Sequence, residues 1–91
     1  MKALLEIEPE NEKQFLTDLI AGFYVPAADA PFQLQQHFVW TYSSDATGKK
    51  QSIYCVVVGR GYDGPSRIPS RIKVKALSTQ VLLIRDLLER L

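Results

Sequence analysis

Apolar residues recur along the chain with two periods, and the changes of period divide it into elements. Leu5 and Ile7 lie two apart within Ala3–Ile7, the spacing of a short strand. Phe15, Leu16, Leu19, Ile20 and Phe23 then recur at helical spacing and make one stripe. Glu8-Pro9 suits the opening of that helix, because proline's missing N–H costs nothing in a first turn. Glu10 and Glu12 suit the positive end of its dipole, and Gly22 supplies a stop. The period is lost over residues 24–35, where Val25-Pro26 and Ala30-Pro31 each force extended backbone. This stretch is expected to be a connection pinned by Val25, Phe32 and Leu34.

A clean period of two follows over Gln36–Ser43. Phe38, Trp40 and Tyr42 fall on one face, and His37, Val39 and Thr41 on the other. A polar loop with Gly48 leads to Gln51–Val58, so the two strands should form a hairpin. The second strand is apolar on both sides, from Ile53 to Val58. That pattern predicts cover on both faces, by helices on one and by residues 24–35 or a second subunit on the other. Pro65 and Pro69 exclude a central strand through their region. Beyond them, Arg71, Lys73 and Lys75 alternate with Ile72, Val74 and Ala76, as in a short edge strand with cations about 6.6 Å apart on one face. Ser78 is a good N-cap for a last helix, with Leu77 and Leu82 placed as a hydrophobic staple. Val81, Ile84, Leu87, Leu88 and Leu91 make its buried stripe, with Arg85 and Arg90 outside it.

The predicted order is (β)αβββα. It implies an α+β fold of two layers, with an antiparallel three- to four-stranded sheet and two helices packed on one face. Ninety-one residues make a single domain over 1–91. No apolar run approaches the roughly 20 residues that span a bilayer. The first twelve residues carry four acids and lack the apolar core of a signal peptide, and Cys55 is the sole cysteine. A cytoplasmic location is expected, with no membrane partner.

Charge changes this picture, because it is segregated. Gly59–Lys75 holds Arg60, Arg67, Arg71, Lys73 and Lys75 against Asp63 alone, a net charge of +4 in a chain of net +1. The first 45 residues carry two lysines and seven acids, net −5; the last 46 carry nine Lys/Arg and three acids, net +6. A concentrated cationic segment is a contact surface for an anionic partner. Lys49 and Lys50 at the hairpin tip could extend it. The plainer use of Arg71, Lys73 and Lys75 is to protect an edge strand from pairing. Arg60 and Arg67, in the loop, have no such duty.

Candidate chemistry is sparse. Gly59-x-Gly61-x-x-Gly64 has the spacing of a dinucleotide fingerprint, but Pro65 and Pro69 forbid the helix that must begin at the third glycine. The stripe of Phe38, Trp40 and Tyr42 could stack nucleic-acid bases, with Trp40 and Tyr42 the foremost rings, or could simply fill the core. His37 and Cys55, each the only one of its kind, fall on different strands, and no metal or cofactor set emerges by spacing. Glu6, Glu8, Glu10 and Glu12 read as a solvated run, and Asp63 as a turn residue. No nucleophile, base and orienter assemble, so catalysis is not expected.

The αβββα order with cations before the last helix resembles, in topology, that of double-stranded-RNA-binding domains. Those domains carry a Lys-Lys-x-Ala-Lys cluster at the start of the last helix. Leu77-Ser78-Thr79-Gln80-Val81 has no cation there, so the chain is not assigned to that family. The expected function is a small non-enzymatic interaction module acting by protein–protein contact, self-associating as a homodimer or serving as an adaptor. The alternative is nucleic-acid binding through Arg60, Arg67, Arg71, Lys73 and Lys75, with Trp40 or Tyr42 stacking.

Overall fold

A computed structural model describes residues 3–27 and 32–91. Their elements run β1 (Ala3–Leu5), α1 (Glu12–Ala21), β2 (Phe23–Pro26), β3 (His37–Ser43), β4 (Lys50–Gly61), β5 (Arg71–Ala76) and α2 (Val81–Glu89). The fold is α+β, as the pattern predicted. The sheet has five strands rather than three or four, in the order β1-β3-β4-β5-β2, and it is mixed rather than antiparallel, because β1 runs parallel to β3.

Strand β4 is the spine. Its first half pairs with β3, from Ser43↔Lys50 to His37↔Val56, and its second half with β5, from Cys55↔Ala76 to Gly61↔Arg71. Strand β2 covers the far side of β5. That tetrapeptide was expected to be connection, with Phe23 in the helix. Instead Gly22 ends α1 at φ 96°, its N–H donating to the Asp18 carbonyl at 2.6 Å, and the chain leaves directly as a strand. Strand β5 is therefore interior and not an edge, since it is hydrogen-bonded on both sides. Of the two X-Pro steps, Val25-Pro26 ends β2, and Ala30-Pro31 lies outside the described residues.

Both helices serve one core. Phe15, Leu16 and Leu19 of α1 and Ile84 and Leu87 of α2 bury against Phe38, Trp40, Tyr42, Ile53, Cys55, Val57, Ile72 and Val74. A fully buried Leu, Ile or Val contributes about 1.5–3 kcal/mol. The ion pairs Lys50–Glu8, Arg71–Asp63 and Arg90–Asp86 are solvent-exposed, where screening leaves each with little to contribute. Apolar burial therefore decides the fold. Phe23 on β2 lies 5.8 Å from Trp40 on β3, although β4 and β5 separate those strands in the sheet. The sheet thus curls around the core, with the helices on its concave side and its other face convex.

Three local expectations shift. Helix α1 starts at Glu12, capped by Asn11, whose side chain accepts the Gln14 N–H at 3.0 Å; Pro9 stays outside. Before α2 comes a 3-10 turn at Ser78–Gln80 without a side-chain cap, and Leu82 is 78% exposed, so no staple forms. Ile7 lies beyond β1 and is partly exposed, while its carbonyl accepts the Trp40 indole N–H at 2.8 Å.

Candidate functional site

Among the described residues, only one face of β4 is closed. Ile53, Cys55 and Val57 are fully buried, whereas Tyr54 and Val58 on its other side are 46% and 40% exposed. The described residues of the connection before β3 lie on the core side. Phe32 stacks on Phe38 at 4.8 Å, on the core side, and Gln35 and Gln36 bond to the Val57 backbone. The convex face of the sheet is open among the described residues.

Strand register places side chains on this open face in rows. Leu4 lies opposite Val39, and Val39 opposite Tyr54. His37 lies opposite Val56, and Val56 opposite Lys75. Gly59 lies opposite Lys73, and Lys73 opposite Tyr24. Gly61 lies opposite Arg71. The result is an apolar half on β1, β3 and β4 beside a cationic half on β5.

Of the five basic candidates, Arg71, Lys73 and Lys75 come together here. Arg60 does not. A bulge between Val57 and Gly59 shifts the register by one, so Arg60 pairs with buried Ile72 and emerges on the opposite face. There it lines a cleft of about 600 Å³ with Ala27, Phe32, Ile68, Pro69 and Ile72. Arg67 is exposed on the loop between β4 and β5. Trp40 and Tyr42 are 2% and 0% exposed, so their rings pack the core and offer no stacking face. Among the described residues the exposed tyrosines are instead Tyr24, Tyr54 and Tyr62, 47%, 46% and 43% exposed, none of which sequence reasoning singled out.

Arg71 is held in place from three sides. Its Nη1 donates to Asp63 Oδ1 at 3.4 Å, and its guanidinium carbon lies 5.1 Å from the centroid of the Tyr24 ring. Its side chain crosses Gly61, where an added Cβ would stand 2.5 Å from the arginine Cγ and Nε. Lys73 Nζ also lies over the Tyr24 ring, at 5.8 Å. Contacts of this kind attract a cation to the face of the ring. The glycine spacing thus has a packing role at Gly61. Gly59 and Gly61 belong to β4, and no helix starts at Gly64.

Of the acidic run, Glu6, Glu8 and Glu10 are exposed, as a solvated run requires, and Glu12 departs from it. Glu12 is buried, and its carboxylate accepts from Tyr42 Oη at 2.7 Å, Ser44 Oγ at 2.6 Å and the backbone N–H groups of Asp45 and Ala46 at 2.7 and 3.3 Å. Burial pushes its pKa up, but these donors together outweigh burial and hold it below the ordinary range. Burial and the facing Glu12 carboxylate raise the Tyr42 phenol. Glu8 accepts from the Ser43 N–H at 2.9 Å and from Lys50 Nζ at 3.0 Å, and the Ser43 N–H leads in lowering its pKa. Both acids tie the N-terminal segment to the hairpin tip.

His37 is exposed on the open face, and Cys55 is buried on the other side of the sheet. Burial pushes the Cys55 thiol up to about 12, which leaves it unreactive at neutral pH. No group of three His, Cys, Asp or Glu side chains among the described residues is placed to hold a metal. No helix among them is long and apolar enough to cross a membrane. Comparison with known proteins finds no matching family, curated protein or solved structure.

Proposed function

We propose that the protein is a non-enzymatic interaction module and that the open convex face of the sheet is its contact surface. The observation that carries this reading is the exposure of Leu4, Tyr54 and Val58 in one sheet face beside Arg71, Lys73 and Lys75. Apolar side chains set among charges in a helix-free face are the makings of an interface. Edge protection does not account for the cations, because β5 has a strand on either side.

A protein partner, a second copy included, is supported by the apolar half. A nucleic-acid partner is supported by the alternation of Arg71, Lys73 and Lys75 along one strand, which lines up three cations on one face. Charge complementarity with a second copy is narrowed rather than removed: Glu8 is paired with Lys50 and Glu12 is buried within its own chain, while Glu6, Glu10 and Asp45 are exposed.

The surface is tested by comparing two double variants. Tyr54→Glu/Lys73→Glu changes the open face, and Arg60→Glu/Arg67→Glu serves as the control. Sedimentation velocity measures self-association, and oligonucleotide binding is measured alongside. Any association detected should be lost in the first variant and kept in the second. The reverse result would remove the open face as the contact surface.

A further inference from the structure

We propose that the protein has a second binding site, on the core side of the sheet and independent of the open face, and that it takes a small monocarboxylate with an apolar body. The site is the cleft beside Arg60, whose guanidinium holds the carboxylate.

Size and lining set the class of ligand. The cleft's volume of about 600 Å³ lies in the range of small-molecule pockets. Ala27, Phe32, Ile68, Pro69 and Ile72 line it, so it is built to bury an apolar body. Ile72 is fully buried and forms the floor, whereas Ile68 is 77% exposed and stands at the lip. The polar members are Gln33, Arg60 and Ser70, and none of them is acidic.

Charge sets the head group. Arg60 takes no part in the ion pairs of the described residues, which join Lys50 to Glu8, Arg71 to Asp63 and Arg90 to Asp86. A guanidinium without an acid, next to an apolar wall, calls for an anion that carries its own apolar body. The planar fork of arginine matches the two oxygens of a carboxylate. Arg60 is the one charged residue in the lining, so a monoanion balances it. A polyanion would find the three cations of β5, on the other face, a better match.

The bulge in β4 aims Arg60 into this cleft. Regular alternation from buried Val57 would turn residue 60 to the open face. The extra residue between Val57 and Gly59 places Arg60 opposite Ile72 instead. Bulges recur beside functional sites because they re-aim a side chain in this way. The walls are also tied together. The Ala27 N–H donates to the Ser70 carbonyl at 3.0 Å, and the Ser70 N–H to the Gly61 carbonyl at 2.8 Å. Ser66 Oγ accepts the Ile68 N–H at 3.2 Å, and Phe32 is stacked on Phe38. A cleft held in this way loses little freedom when it is filled.

The test follows backbone amide shifts by NMR while decanoate or naphthoate is titrated in. Their uncharged amides, decanamide and naphthamide, serve as matched controls. Wild type, Arg60→Gln, Ile68→Asp and Lys73→Glu are compared, each checked for native circular dichroism. An acid should shift Ala27, Gln33, Arg60, Ile68 and Ser70, and its amide should bind about ten-fold to a hundred-fold more weakly. Arg60→Gln should lower the affinity for the acid to that for the amide and leave the amide unaffected, which a misfolded variant would not do. Ile68→Asp should lose affinity for both, and Lys73→Glu should match wild type. Binding of either acid supports the site, and the tighter of the two shows whether the body is aliphatic or aromatic.

The proposal is overturned if neither acid shifts the cleft at up to millimolar concentration, if the amides bind as well as the acids, or if Arg60→Gln leaves the difference between them intact. Acid-dependent shifts at Lys73 and Lys75 in place of the cleft would overturn it as well. None of these results bears on the open face, which is tested by its own variants.

Discussion

Glu12 ends a regular alternation of acids that reads as solvent-facing, yet it is the carboxylate that joins helix to hairpin. Its four donors come from Tyr42, Ser44, Asp45 and Ala46, thirty or more residues away in sequence, so no local spacing could announce it. Because its folded-state pKa is depressed, the stability it confers is complete above the unfolded value of 4.5 and is lost as pH falls through the folded value. Glu12→Gln removes the charge and turns an amide N–H₂ toward donors. It should cost about 2–3 kcal/mol at pH 7, and the gap to wild type should narrow on acidification below 4.5. Urea melts at pH 7 and pH 3 measure both terms; an equal gap at the two pH values would contradict the role. The same contrast between local and distant information explains the rings. Phe38, Trp40 and Tyr42 declare a common face by their alternation, but which face is buried depends on partners such as Phe15, 4.8 Å from Trp40. Tyr24 went unread because Pro26 and Pro31, both following it, suggested a connection.

At the scale of elements, the long pattern was legible and the short pieces were not. Strands β3 and β4 and the stripe of α2 carry enough residues for a period to show. Strands β1 and β2, with three and four residues, do not. Phe23 continues the spacing of Leu19 and Ile20, and it does bury part of its ring, but from a strand that follows Gly22 rather than from the helix. Missing β2 also turned interior β5 into an apparent edge and supplied a false explanation for its cations. Gly22 is the hinge of this arrangement. Its φ of 96° and ψ of 140° suit glycine alone, and a Cβ there would meet Lys73 Cε at 3.2 Å. Gly22→Ala should therefore destabilise the protein by about 1–3 kcal/mol, read from its denaturant midpoint. A midpoint equal to that of wild type would show that α1 and β2 can be joined without this conformation.

For the whole molecule, the decisive feature is the asymmetry of the sheet. One face is closed by α1, α2 and Phe32; the other presents tyrosines, aliphatic side chains and three cations. Composition could show that charge was segregated, but not that a one-residue bulge divides the basic segment between two faces. The chain's net charge of +1 then matters less than where Arg71, Lys73 and Lys75 stand. The most direct measurement is a map of backbone amide chemical shifts by NMR, recorded as a single-stranded oligonucleotide is titrated in and again across a dilution series of protein alone. Perturbations should fall on Tyr24, Val39, Tyr54, Val56, Lys73 and Lys75. Perturbations confined instead to the helices, or to the cleft beside Arg60 and Ile68, would contradict the open face as the contact surface.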